Sequence, residues 1–165
     1  MLIDTHSHIV PETFPVNDSN PYWPIIAPLE NDKANVMING HNFRTVTSQC
    51  WSPQRRIENM EQEGVNQQVI SPMPELLSYW FSSSDGIAIS NYVNEFIAKL
   101  VSDNSNKFIG LGMVPLQEPD LASKELEKLK QMGLSGIEIG SNINGVSIGD
   151  SRFFSFFDTV EKLDL

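Results

Sequence analysis

The chain has 165 residues and a formal net charge of −10 at pH 7, from 11 Lys and Arg against 21 Asp and Glu. A length of this order holds one domain with a sizeable core, and the acidic balance excludes a polyanion binder, because nucleic-acid sites need clustered Lys and Arg to displace counterions. The single cysteine, Cys50, excludes an internal disulfide framework and a Cys-rich zinc knuckle. A reducing, cytoplasmic setting is expected, since no secretory pattern opens the sequence and no apolar run approaches the roughly 20 residues of a membrane span.

The opening run Leu2-Ile3-Asp4-Thr5-His6-Ser7-His8 reads as a β-strand. Alternate strand residues point the same way, so His6 and His8 converge, their Cα atoms about 6.6 Å apart at a rise of roughly 3.3 Å per residue. Two imidazoles at that span suit zinc or another divalent transition metal, with Zn–N bonds of about 2.0–2.1 Å. The alternative on these residues alone is a pair of rim histidines with satisfied hydrogen bonds. Asp4, on the same alternation, is a candidate partner for a ring nitrogen or a local hydrogen-bond acceptor. Pro11 then stops regular structure.

Residues 11–51 read as an insertion. Pro11, Pro15, Pro21, Pro24 and Pro28 exclude a long helix, and Asn39-Gly40 supplies the positive φ angles of a tight turn between Val36-Met37-Ile38 and Phe43-Arg44-Thr45-Val46. A small β-hairpin is predicted there. His41 beside the turn is an ordinary polar loop residue, and Arg44 on these grounds is a solvated hairpin arginine. Trp51 and Trp80 bring large apolar area and are expected to pack the base and wall of a pocket. Cys50 lacks a paired base and is expected as a buried thiol.

Beyond the insertion the pattern repeats. Ser52-Pro53 caps a helix over 53–63 that Gly64 stops, and Gln67 to Ser71 is a short strand. Ser84-Asp85 opens a helix with Ala88, Tyr92, Phe96 and Leu100 four apart. Phe108 to Val114 is an apolar strand, followed by a helical stripe of Leu121, Ala122, Leu126, Leu129 and Met132 that ends at Gly133. Gly136 to Ile139 is a fourth strand. Phe153, Phe154, Phe157, Val160 and Leu163 line one face of a last helix begun near Asp150 or Ser151. Gly110-x-Gly112 lies inside a strand, without the strand-to-helix context of a dinucleotide site. Four β-α units predict an α/β fold with a parallel sheet, the N-terminal half of a TIM (β/α)8 barrel in one domain over 1–165, because a complete barrel needs about 250 residues. The histidine pair then stands at the C-terminal end of the first strand, where such barrels keep their chemistry.

Several separated motifs carry a resemblance. Ile3-Asp4-Thr5-His6-Ser7-His8, Phe43-Arg44 and Cys50-Trp51-Ser52-Pro53, Arg56-Ile57 with Met60 and Gly64-Val65, Ser78-Tyr79-Trp80, and Phe108-Ile109-Gly110-Leu111-Gly112 with Val114-Pro115-Leu116-Gln117 resemble the 2-amino-3-carboxymuconate-6-semialdehyde decarboxylase family of the amidohydrolase superfamily. The resemblance implies zinc-dependent, non-oxidative decarboxylation in tryptophan–kynurenine or nitroaromatic catabolism, on a barrel working as a homodimer. It implies that His6 and His8 are metal ligands and that Arg44 binds a carboxylate of a small-molecule substrate. It places the remaining ligands and the catalytic histidine beyond Leu165. Glu75-Leu76-Leu77 departs from the apolar residues of the family at this loop, and a carboxylate there repels an anionic substrate unless it is paired or turned outward. Two other functions stay open: a metal-dependent hydrolase of a lactone or amide in the same superfamily, and a non-catalytic fragment whose open sheet edges invite pairing.

Overall fold

The structure, a computed structural model, describes every residue from Met1 to Leu165. Its frame is four parallel strands, β1 (Ile3–Ile9), β5 (Gln67–Pro72), β6 (Phe108–Gly112) and β7 (Gly136–Ile137), hydrogen-bonded in that order. Neighbours in the sheet are thus neighbours among the β-α units. That order is what a closing barrel requires, whereas a doubly wound sheet reverses direction at a switch point. β1 and β7 are its edges.

Helices α1 (Pro53–Glu63), α2 (Ser83–Asp103) and α3 (Pro119–Gln131) make the crossovers, and α4 (Phe154–Leu163) follows β7. The start of α1 is as its sequence dictates: Ser52 Oγ accepts from Arg55 N at 3.3 Å, Pro53 takes the first turn, and Gly64 at φ 71° closes the helix. α2 starts earlier than expected. Ser82 is its cap, accepting from Asp85 N at 3.2 Å, so Ser84 and Asp85 lie within the first turn. In α4 the buried phenylalanine is Phe156, with Phe153 in the preceding 3-10 turn, while Phe154 is exposed. A 3-10 turn capped by Asp150 runs into the helix as expected, and the covered face passes through Phe153, Phe156, Phe157, Val160 and Leu163, which leaves Phe154 to solvent.

The helix-covered face of the sheet holds the core. In β6, Phe108, Gly110 and Gly112 are buried while Ile109 and Leu111 are half-buried on the opposite face. The two glycines are there for close approach: a Cβ on Gly112 would stand 2.5 Å from Leu129 Cδ1 and 2.8 Å from Asn94 Oδ1. β6 ends where Asn94 of α2 replaces a strand neighbour, accepting from Met113 N and donating to Met113 O, both at 2.8 Å.

The insertion is a three-stranded antiparallel sheet, not a two-stranded hairpin alone. β3 (Lys33–Ile38) and β4 (His41–Thr47) form the predicted hairpin around Asn39 and Gly40 at φ 52° and 70°. β2 (Ile25–Leu29) adds to the far side of β3. Pro28 obscured it, and Pro28 is tolerated because β2 is an edge strand with no partner for the missing N–H. Asn17 and Asn20 tie the insertion to α2, each donating to Asp85 at 3.0 Å, and Trp23 stacks on Phe81 at 5.9 Å. A second hairpin, β8 (Asn142–Ile143) and β9 (Val146–Ser147), turns at Asn144-Gly145.

Gly112→Ala should lower stability by about 1–3 kcal/mol, the cost of overpacking a filled core. Gly149→Ala, where a Cβ meets only Ser147 Oγ at 3.7 Å, should fall within about 0.5 kcal/mol of the unaltered chain. Urea midpoints at constant slope would show the contrast.

Candidate functional site

β1 carries an irregularity at its chemical end. Asp4 stands opposite Gln68 but Ser7 opposite Ile70, so three steps along β1 match two along β5, with an extra residue at Thr5-His6. Such a bulge re-aims side chains. Here His6 and His8 meet with ring centroids 4.6 Å apart and planes at 81°. His6 is exposed and His8 half-buried at the open face of the sheet.

His8 is held through one nitrogen. Its Nδ1 shares a hydrogen bond with Ser71 Oγ at 3.1 Å and lies 3.6 Å from Glu138 Oε2, just past β7. Engagement of Nδ1 leaves Nε2 as the free donor atom. The chain brings no group of three His, Cys, Asp or Glu side chains together as a metal cage. Two converging imidazoles fit a borderline divalent ion, but a zinc site needs three protein ligands.

Asp4 takes no part in the imidazole pair and is instead the local hydrogen-bond acceptor that its sequence position also allowed. Because of the bulge its carboxylate joins a network behind the strand: Oδ1 accepts from His6 N at 3.1 Å and Oδ2 from Gln68 Nε2 at 3.0 Å. The centre of that network is Arg56 of α1, which is buried and donates to Ser7 Oγ at 2.6 Å, His8 O at 2.7 Å and Gln68 Oε1 at 3.2 Å. Burial pulls the Arg56 pKa below the usual arginine range, opposed by nearby Cys50 and Asp4. The motif contained Arg56, but nothing in its local sequence marked it as the anchor of the histidine strand.

Arg44 projects from β4, half exposed, and its Nη2 donates to Glu75 Oε1 at 3.0 Å. The departing carboxylate is therefore paired. Glu75 follows Met73, whose amide donates to Ile9 O at 3.0 Å, while Cys50 O accepts from Val10 N at 2.9 Å. These bonds tie the segments just after Arg44 and just before Glu75 to the C-terminal end of β1. Cys50 is half-buried and free, and burial raises its thiol pKa against the opposing charges of Arg56 and Arg44. His41 is exposed at its turn. Trp51 packs half-buried against the core, but Trp80 is exposed and does not wall a pocket among these residues.

Tyr79 is a site residue that the sequence reading left unassigned. Its hydroxyl accepts from Gly140 N at 3.1 Å and its carbonyl from Asn144 Nδ2 at 2.8 Å, which docks the second hairpin beside Glu138. Burial pushes the phenol up to about 12, offset by the Gly140 hydrogen bond and reinforced by Glu138, so it keeps its proton at neutral pH. The Asn144-Gly145 turn was the available signal for this hairpin.

A family profile described as Amidohydrolase matches residues 3–165. The chain belongs to this amidohydrolase family. It is 38% identical over 167 residues to the 2-amino-3-carboxymuconate-6-semialdehyde decarboxylase of Dictyostelium discoideum, covering 99% of this chain and 46% of that protein. The dihydroxybenzoic acid decarboxylase of Polaromonas sp. JS666, solved with manganese and 2-nitroresorcinol, matches 72% of this chain and 38% of its own at 24% identity and a TM-score of 0.64. The apo IDCase of Metarhizium anisopliae covers 99% of this chain at a TM-score of 0.78 and 16% identity, over 48% of its own length. This amidohydrolase chain thus has the predicted α/β architecture, and spans about half the length of the curated relatives it matches.

Arg56→Met should cost about 2–4 kcal/mol, because Ser7, Gln68 and the His8 carbonyl lose a buried donor. Chemical denaturation would measure it. Tyr79 gives a pH signature: its folded value of about 12 lies above the ordinary value of roughly 10, so the unfolded chain loses this proton first. Its stabilisation is complete below pH 10 and lost as pH rises to about 12. Tyr79→Phe should remove that component from a stability-versus-pH series.

Proposed function

We propose that this chain supplies the N-terminal half of a metal-dependent, non-oxidative decarboxylase. The substrate class is an unsaturated or aromatic carboxylate, of which an aminocarboxymuconate semialdehyde is one candidate. The observation that carries the reading is the convergence of His6 and His8 toward the end of β1. His6 and His8 would hold zinc, or manganese as in the Polaromonas relative, with His8 binding through Nε2 because Nδ1 is engaged. When bound, the ion supplies Lewis-acid polarisation to the reacting centre.

The chain's own residues divide the remaining work. Arg44 orients the substrate carboxylate through its planar fork of N–H donors. Arg56 fixes the backbone that carries both histidines, and Tyr79 holds the Gly140 backbone next to Glu138. A third ligand, the residue that protonates the product and the second protomer of a homodimer would come from polypeptide other than these residues.

Competition with a zinc-sensitive dye should show micromolar or weaker binding to this chain, diminished by His6→Ala and by His8→Ala. Submicromolar binding would reveal a third donor within it. In the product of the complete coding sequence, release of carbon dioxide is expected, and hydrolysis without it would favour a lactone or amide hydrolase. Arg44→Ala there should lower kcat/KM about 10- to 100-fold, the worth of a charge-assisted hydrogen bond of roughly 1.5–3 kcal/mol.

A further inference from the structure

Glu138 is a carboxylate set in place without a Lys or Arg partner. Its backbone is clamped on both sides, since Glu138 N donates to Gly112 O at 2.8 Å and Gly140 N donates to Tyr79 Oη at 3.1 Å. The side chain is 16% exposed, so solvent screens its charge weakly, yet no Lys or Arg comes within salt-bridge distance. The one basic group it meets is His8, whose Nδ1 lies 3.6 Å from Oε2. That separation is too long for a hydrogen bond and short enough for a strong Coulomb effect.

The ring has a choice that such a charge decides. A neutral imidazole carries its proton on Nδ1 or on Nε2, and only the Nδ1–H form presents a lone pair at Nε2 to a metal. The hydrogen bond between Nδ1 and Ser71 Oγ at 3.1 Å does not select either form, because a hydroxyl both donates and accepts. Ser71 can receive the proton of Nδ1–H or give its own to a bare Nδ1. An ionised carboxylate only accepts: its charge attracts an N–H dipole at Nδ1 and repels a lone pair there. Glu138 thus supplies the asymmetry that the hydroxyl lacks, reaching His8 from just past β7 at the opposite edge of the sheet.

We propose that Glu138 is a positioning residue that selects the Nδ1–H tautomer of His8 and so readies Nε2 to take a divalent transition-metal ion. The proposal rests on the reading of His8 as a metal ligand. Glu138 acts through the ring and does not bind the ion itself.

The test is the nitrogen NMR signature of His8 in the metal-free full chain at about pH 9, where a histidine is neutral. Correlations from the ring carbon-bound protons distinguish a protonated ring nitrogen from a bare one. The unaltered chain should hold Nδ1–H as the main form, and Glu138→Gln, which keeps the shape and removes the charge, should lower the Nδ1–H to Nε2–H ratio about ten-fold. Zinc affinity at neutral pH, followed through the same ring resonances, should fall about ten-fold in that variant. Ser71→Ala should leave Nδ1–H dominant, and Glu138→Ala carries the expectations of Glu138→Gln should the amide disturb the fold. An Nε2–H form in the unaltered chain, a ratio indifferent to Glu138→Gln, or loss of the Nδ1–H form in Ser71→Ala overturns the proposal. Weaker zinc binding with an unmoved ratio also overturns it, since Glu138 would then be a ligand. The metal reading is judged separately: if zinc shifts no His8 resonance and His8→Ala leaves zinc affinity intact, His8 is not a ligand, whatever the tautomer ratio, and the selected tautomer serves no metal.

Discussion

One buried guanidinium decides where the chemistry of this chain can stand. Arg56 reaches from α1 to three acceptors on two strands, and one of them is the carbonyl of His8 itself. β1 is an edge strand with a bulge beside the histidines, a combination that tethers the backbone poorly from the sheet alone. The arginine supplies what the ladder lacks. Its desolvation is offset by hydrogen bonds and by Asp4, which explains why Asp4 faces this network and leaves the imidazoles to each other.

A second constraint comes from the insertion. It rises between β1 and α1 and returns to the strand ends through Cys50, whose carbonyl receives the amide of Val10. Its antiparallel sheet carries Arg44, which the loop after β5 meets with Glu75. The cation and its opposing charge therefore arrive on different elements. Trp23 on Phe81 and the two asparagines on Asp85 hold that placement by fixing the insertion to the start of α2.

The comparison with relatives gives these local features a common frame. The chain follows the barrel path of much longer proteins across nearly its whole length, with its four strands in sequential order. The open face of such a half-sheet is also the face on which His6, His8 and Glu138 meet, because that face carries no helices. Openness of the sheet and exposure of the candidate metal residues have the same origin.

The sequence by itself determined the elements with strong local physics. Ser52-Pro53 and Gly64 bounded α1, Asn39-Gly40 closed the β3–β4 hairpin, and the recurring strand-then-helix pattern set a parallel α/β fold. The His-x-His spacing was legible too, since it depends only on alternation along a strand. Tertiary structure decided the rest: the extra edge strand β2 behind its prolines, the exposure of Phe154, the bonding of Asp4 to Gln68, and the pairing of Arg44 with Glu75. Caps, turns and periodicity act over a few neighbouring residues, so the local sequence records them. A bulge, a buried guanidinium and an ion pair spanning 31 positions exist only when the whole chain has packed, and no short window of sequence contains both partners.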